Sequence, residues 1–130
     1  MPGNTSKYFG INELNLIVRA KKASAGTIAA HKNVYITDLD EATGTYLVEL
    51  AKADSSSTMP SVGVSVDSFD NSTDGSVIIA GTLHGVDTSD FSVGDQLFVS
   101  PDTAGAFTAT RPNGDQIVEK SCMVLKSLSR

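Results

Sequence analysis

Nucleophilic catalysis is the first chemistry to consider, because a histidine, a carboxylate and two serines lie close together in the chain at His84, Asp87, Ser89 and Ser92. A serine hydrolase presents its nucleophile on a sharp turn, such as the strand-to-helix elbow of a Gly-x-Ser-x-Gly motif. The sequence contains no such motif. Serine and aspartate are also so common here that the grouping is expected by chance. We interpret these residues as ordinary loop residues and expect no enzymatic activity.

Two acidic loops raise the question of a metal site. The segment Asp70–Gly75 has oxygen-bearing side chains at alternate positions and glycine at the sixth, like the start of a calcium-binding loop. The twelfth position, which needs a bidentate glutamate, is Gly81. The second acidic cluster, at 38–41, has Thr43 at the sharp-turn position. We predict solvent-facing turns and no cofactor, and a weak surface cation site at either loop is the alternative.

The single cysteine, Cys122, excludes an intrachain disulfide and a cysteine-rich metal site. Because it lies beside Met123 in a predicted strand, we interpret it as a small core residue rather than a nucleophile.

Charge and targeting signals restrict the partners. The net charge is −5 and the isoelectric point is about 4.8, with no cluster of lysine and arginine long enough for phosphate-backbone binding. The first ten residues lack the basic and apolar regions of a signal peptide, and no apolar run approaches the roughly 18 residues of a membrane span. We expect a soluble protein made in the cytoplasm that binds neither nucleic acid nor membrane.

The 130 residues predict one all-β domain, a small barrel or sandwich of about seven to nine short strands. Residues 1–13 are predicted to form an extended N-terminal arm, and residues 14–130 the domain. Alternation of polar and apolar residues, or runs of β-branched residues, predict strands at 14–18, 33–37, 45–51, 62–66, 76–80, 96–100, 106–110 and 117–125. In 62–66 the valines point one way and Ser65 the other. Polar loops are predicted at 38–44, 53–60 and 68–75.

Two segments about sixty residues apart resemble each other. Val34–Thr37 matches Leu97–Ser100, Gly44–Leu47 matches Gly105–Thr108, and 62–66 occupies the place of 121–125. This pattern predicts an internal pseudo-repeat of two three-stranded units, which favours a closed architecture without exposed sheet edges.

The arm has one aromatic pair, Tyr8 and Phe9. One interpretation is a frayed chain end. The other is an arm that becomes ordered against a neighbour, with the two rings as anchors, because aromatic side chains dominate contact energetics.

The stretch from Ala80 to Leu125 resembles a β module of tailed-bacteriophage virion proteins, both capsid decoration proteins and tail-fibre proteins. The resemblance is carried by a series of turn and strand motifs: Gly81-Thr82-Leu83, Gly85-Val86-Asp87, Gly94-Asp95-x-Leu97-Phe98-Val99-Ser100, Ala104-Gly105-x-Phe107-Thr108 and Pro112. Upstream, Ala25-Gly26-Thr27-Ile28, Val34–Thr37, Ala51–Asp54 and Gly63-Val64 also fit. Tail-fibre members are long, whereas this chain is little more than the module with an arm.

The resemblance therefore implies a capsid decoration (cement) protein, a homotrimer on the capsid surface that stabilises contacts between major capsid subunits. It implies that the arm contacts the capsid through Tyr8, Phe9, Ile11 and Leu14. The alternative is a tail- or fibre-associated protein that binds host surface glycans through the polar loops at 38–44 and 70–75.

Overall fold

A computed structural model describes residues 15–83, 86–114 and 116–124, and in these ranges the chain is all-β, as predicted. A single 3₁₀ turn spans Ser56–Thr58. The ten strands described are β1 Leu16–Lys22, β2 Thr27–Ile28, β3 Asn33–Asp40, β4 Thr45–Leu50, β5 Gly63–Ser65, β6 Phe69–Asp70, β7 Gly75–Ala80, β8 Gln96–Val99, β9 Phe107–Thr108 and β10 Lys120–Met123.

Five strands close into a barrel in the order β1-β4-β3-β5-β7, with β7 pairing back to β1. The β1–β4 pair is parallel and the other four pairs are antiparallel. Closure leaves these strands without an unpaired edge, which removes the usual template for edge-to-edge association. The remaining strands form a three-stranded sheet, β10-β8-β9, called the second sheet below, and a ribbon of β2 and β6.

The barrel interior is packed with small and β-branched side chains and is closed at one end by the ribbon. Its fully or nearly fully buried members are Ala20, Ile28, Val34, Val48, Phe69 and Val77. The ribbon residues Ile28 and Phe69 cover the end from which β3 starts and at which β1 finishes. Phe69 falls in the stretch 68–75, predicted as a polar loop, so that prediction was wrong at its buried aromatic residue.

Ser65 shows how the barrel tolerates a polar interior residue. It pairs directly with Val77 and is fully buried, although the alternation in 62–66 favours the valines as the apolar face. Its hydroxyl donates to the carbonyl of Ala29 at 2.7 Å and accepts from the amide of Lys32 at 2.9 Å. Because both hydrogen bonds are made, burial of the hydroxyl carries no unpaired-group penalty.

The predicted loop at 38–44 is shorter than expected. Strand β3 continues to Asp40, after a register shift between Ile36 and Asp38. The turn is confined to 41–44, where Gly44 has a φ of 74° and its amide donates to the carbonyl of Asp40 at 2.7 Å. Acidic residues obscured the end of β3 in the sequence because they lie on an exposed part of that strand.

The strands predicted at 106–110 and 117–125 are also shorter in the structure, where they correspond to β9 and β10.

The internal repeat is supported by the strand order. In the barrel β3 lies between β4 and β5, and in the second sheet β8 lies between β9 and β10, with all four pairs antiparallel. Gly44 and Gly105, which correspond in the sequence match, both have positive φ, at 74° and 81°. Such values favour glycine and end the preceding turn. The second unit is shorter, with two paired positions between β8 and β9.

The two units meet in a closed ring of three backbone hydrogen bonds. The amide of Asn33 donates to the carbonyl of Gly105 at 2.8 Å, Gly105 donates to Ala51 at 2.7 Å, and Ala51 donates back to Asn33 at 2.9 Å. Ala53, the first residue of the predicted surface loop at 53–60, is buried, whereas residues 54–60 are exposed or half-buried. Its amide donates to Ser100 at 3.0 Å, and its carbonyl accepts from Ile117 at 2.8 Å.

The side chain of Asn33 reinforces this ring, which we call the Asn33 junction. It is fully buried, its Nδ2 donates to the carbonyl of Ala106 at 3.1 Å, and its Oδ1 accepts from the Ser121 hydroxyl at 2.6 Å. Gly105 packs so closely that an added Cβ would lie 2.8 Å from Cδ2 of Leu50. The barrel and both flanking strands of β8 are therefore held by one polar side chain.

Replacing Asn33 with alanine should destabilise the protein by about 2–3 kcal/mol, because half-buried partners on Ala106 and Ser121 lose their hydrogen bonds to a fully buried side chain. Equilibrium unfolding in urea measures the change. The matched control is Asn71→Ala, in an exposed turn, for which we expect a change of no more than about 0.5 kcal/mol. Equal effects of the two substitutions would contradict the role of the junction.

An ion pair fixes the β1–β2 connection to β4. The ammonium of Lys22 lies 2.7 Å from Oε1 of Glu49, and these side chains are only 12% and 21% exposed. Oε2 of Glu49 accepts from the amide and hydroxyl of Ser24 at 2.8 and 2.6 Å. Burial of the carboxyl raises its pKa, but the hydrogen bonds and charge of Lys22 and Ser24 outweigh it and leave the pKa below its usual value.

Because the pKa of Glu49 is lowered by folding, its contribution to stability is present above the unfolded pKa of about 4.5 and is lost as the pH falls through the lower folded pKa. At neutral pH, Glu49→Gln should cost about 1 kcal/mol. The difference from wild type should vanish in acid, as measured by urea unfolding between pH 7 and 3. Glu41→Gln, in the exposed turn, is the control. A difference that does not depend on pH would refute the assignment.

Candidate functional site

A cavity of about 790 Å³ lies between the outer side of β5 and β7 and the second sheet. Its walls are largely apolar and come from both units, chiefly Val62, Val64, Ile78, Leu97, Phe107 and Val124. This volume is in the range of sites that bind a small molecule or a few side chains. The segment 86–91 covers part of one side, where Val86 and Phe91 contribute to the lining.

The polar groups at the rim of the cavity are engaged in structural hydrogen bonds. Oε1 of Glu119 accepts from the amide of Ser61 at 2.9 Å, which ties the start of β10 to the start of β5. The hydroxyl of Ser121 is used by the Asn33 junction. His31 has a φ of 68°, and its amide donates to the carbonyl of Ser65 at 2.7 Å. The arrangement is a largely apolar cavity with polar groups around its opening.

Cys122 lines this cavity and is exposed, so its prediction as a core residue was wrong. The reason is that β10 is an edge strand of the second sheet, and the cavity leaves that side of the strand accessible. Desolvation by the surrounding atoms raises the pKa of the thiol, and a hydrogen bond with Ser121 opposes this only in part. The raised pKa disfavours the thiolate, which is the nucleophilic form.

In the group of possible hydrolytic residues at 84–92, the described side chains and amides take part in two capped turns. Oδ1 of Asp87 accepts from the amide of Ser89 at 3.0 Å, and the amide of Ser92 donates to Oδ2 of Asp95 at 2.9 Å. These are local side-chain-to-backbone contacts of the kind that stabilise loops. His84 lies outside the described residues.

The carboxylates of the two acidic loops are also used locally. In the 38–41 cluster, Oδ1 of Asp38 accepts from the amide of Leu39 at 2.8 Å, and Oδ1 of Asp40 accepts from the amide of Ala42 at 3.1 Å. Oδ1 of Asp70 accepts from Ser72 through both amide and hydroxyl, and from the amide of Thr73 at 2.8 Å. These hydrogen bonds lower the pKa of Asp70. Asp74 instead lies 3.5 Å from Arg19 and 3.7 Å from Lys21. In residues 15–83, 86–114 and 116–124, no group of three or more histidine, cysteine, aspartate or glutamate side chains could hold a metal ion.

The predicted capsid-contact residues Tyr8, Phe9, Ile11 and Leu14 lie outside the described residues. The structure does describe Asn15, the first residue of the described range 15–83. Oδ1 of Asn15 accepts from the amide of Thr82 at 3.0 Å, and Gly81 has a φ of 126° where an added Cβ would overlap Asn15. Gly81 and Thr82 line the cavity. Asn15 therefore lies beside the cavity opening.

The same end of the barrel exposes large apolar side chains. Leu16 at the start of β1 is 56% exposed, and Ile79 near the end of β7 is 41% exposed. The register places these two strand ends together, because Leu16 pairs with Ala80. We call Leu16 and Ile79 the apolar end of the barrel. A surface of this kind marks an interaction site more often than an isolated exposed leucine does.

One sequence pattern indicates that the outer face of β7 is covered. The run 77–80 is apolar at every position, and such a run is typical of a strand covered on both faces. In β7, Val77 faces the barrel core and Ile78 lines the cavity. The partner that covers Ile78, the second sheet, is distant in sequence and carries no local signature.

Comparison with protein-family models, curated protein sequences and solved structures finds no match to this chain. No helix in the described part of the chain is long and apolar enough to cross a membrane.

Replacing Gly81 with alanine should destabilise the protein by about 2–4 kcal/mol, because the new methyl group adds overlap with Asn15 to the strain of a positive φ. Gly94→Ala is the matched control, since Gly94 has a φ of 92° and nothing within 4 Å of an added Cβ. The control should cost about 1 kcal/mol. Thermal unfolding of both variants separates the energetic cost of the steric contact from that of the backbone strain. Equal losses of stability would show that Asn15 does not pack against Gly81.

Proposed function

We propose that this protein is a virion structural protein, a capsid decoration protein that stabilises contacts between major capsid subunits on the capsid surface. The observation that carries the proposal is the apolar end of the barrel, with Leu16 and Ile79 exposed beside Asn15, where the predicted arm would join the domain. An exposed apolar surface and an arm at one end provide adjacent contacts for a partner. The motif resemblance to phage virion modules supplies the identity of that partner.

The physical demands of this role agree with the fold. A decoration protein must be rigid and must bind many equivalent places, whereas it needs no reaction centre. The closed barrel gives a rigid body, and the Asn33 junction fixes the second sheet to it. Among the described residues β9 and β10 are the outer strands of that sheet, and an outer strand can add a strand from a neighbour by backbone hydrogen bonding. A homotrimer would place copies of both edges around a symmetry axis of the capsid.

The alternative proposal is a tail- or fibre-associated protein that binds host surface glycans. The exposed turn at 71–74 favours it, because it presents Asn71, Ser72 and Thr73 at the surface in a conformation held by Asp70. Small polar side chains of this kind can hydrogen-bond to sugar hydroxyls.

Quantitative mass spectrometry of purified virions distinguishes the two. A decoration protein follows the capsid lattice, so we expect on the order of hundreds of copies per particle. A handful of copies would overturn the decoration role and support a tail location. Capsids lacking the protein should rebind the purified wild-type chain, and the full-length variant carrying Tyr8→Ser and Phe9→Ser should lose most of this binding. Retention of the wild-type chain on an array of host polysaccharides would favour the alternative.

A further inference from the structure

Asn113 is the one asparagine in the sequence that glycine follows, and it lies in the segment between β9 and β10. An asparagine can lose its side-chain amide when the backbone nitrogen of the next residue attacks the side-chain carbon. Glycine in the next position favours this attack, because it has no Cβ to obstruct ring closure and adopts the required backbone conformations readily. The surroundings of Asn113 and Gly114 then decide whether the reaction proceeds in the folded chain.

The two reacting groups are accessible. Asn113 and Gly114 are both exposed. Among the described residues, neither the side chain of Asn113 nor the amide nitrogen of Gly114 makes a hydrogen bond. An added Cβ on Gly114 would have nothing within 4 Å, so the space around the attacking nitrogen is open. Ring closure therefore displaces no neighbouring group and breaks no hydrogen bond of either reacting group.

The backbone around the site is held by a local turn. Oε1 of Gln116 accepts from the amide of Asn113 at 2.9 Å, and the amide of Gln116 donates to the carbonyl of Asn113 at 3.1 Å. Exposed turns held by few hydrogen bonds open locally at a small cost in free energy. The backbone rotation that brings the side chain of Asn113 over the Gly114 nitrogen is therefore accessible without unfolding the domain.

The other described asparagines lack this combination. Asn33 is fully buried with its side chain hydrogen-bonded, and Oδ1 of Asn15 accepts from the amide of Thr82. Asn71 is exposed, but the residue after it is Ser72, whose amide already donates to Asp70 at 2.9 Å. Asn71 is therefore the internal reference for an accessible asparagine whose neighbouring nitrogen is engaged.

We propose that Asn113 is a site of spontaneous deamidation. The nitrogen of Gly114 forms a bond to Cγ of Asn113, the bond from Cγ to Nδ2 breaks, and ammonia leaves with the proton that the attacking amide loses. Water then opens the succinimide ring at either carbonyl, which gives aspartate or isoaspartate at position 113. The reaction consumes one water molecule and needs no oxidant or reductant.

The product changes the charge of a small surface cleft. This cleft has a volume of about 210 Å³, and Arg111, Asn113 and Gln116 are among its lining residues. Arg111 has no ion-pair partner in the described part of the chain. Deamidation adds a carboxylate to the cleft that holds this guanidinium and makes the formal net charge one unit more negative than −5. The inference concerns the isolated chain, so it is independent of the virion role.

Incubation of the purified full-length chain at neutral pH, with peptide mapping by mass spectrometry at intervals, tests the proposal. The peptide that contains Asn113 should gain the mass added when a carboxyl group replaces an amide, and its aspartate and isoaspartate forms should separate by chromatography. The rate should rise with pH, because the attacking amide must lose its proton. Asn71 in the same sample should react at least about tenfold more slowly, which corresponds to a barrier about 1.4 kcal/mol higher. Equal rates at Asn113 and Asn71, or no reaction at Asn113, would overturn the proposal.

The variant Gly114→Ala tests the ring-closure step. Its added methyl group should slow the reaction at Asn113 by about tenfold, equivalent to about 1.4 kcal/mol in the barrier. Circular dichroism checks that the variant is folded, as expected for a position where an added Cβ meets nothing within 4 Å. An unchanged rate in this variant would overturn the proposal. Aspartate without isoaspartate in the wild-type chain would also overturn it, because direct hydrolysis of the side chain gives aspartate alone.

Discussion

The structure depends on the buried side chain of Asn33. Its backbone joins a closed ring of hydrogen bonds with Ala51 and Gly105, and its amide group holds Ala106 and Ser121. Without this junction, the barrel and the second sheet would be connected mainly by loops and by the small apolar cluster of Ala51, Ala53 and Val99. A low-dielectric interior strengthens such hydrogen bonds, and it also makes each unpaired group costly. The relative position of the two units is therefore fixed by polar geometry more than by apolar packing.

The use of polar contacts rather than apolar packing between the two units accounts for the cavity. Polar contacts at the Asn33 junction and between Ser61 and Glu119 hold the two units together, and apolar residues of both units line the cavity between these contacts. Val64, Ile78 and Leu97 line this space of about 790 Å³. A domain held only by hydrophobic packing would collapse such a space, because each buried methylene contributes about 0.8 kcal/mol. The polar contacts instead fix the spacing of the two units around the cavity.

The sequence predicted the fold class and most strand positions, because β-branched runs such as those in β3, β4 and β7 report local structure. The matched glycines at 44 and 105 even indicated the repeated strand order. The ribbon of β2 and β6 was missed because strands of two residues carry no periodicity, and Phe69 lies among polar residues. The cavity could not be predicted, because it is lined by residues from β5, β7, β8 and β10. Cys122 was misassigned for the same reason, since its exposure depends on which side of β10 stays open.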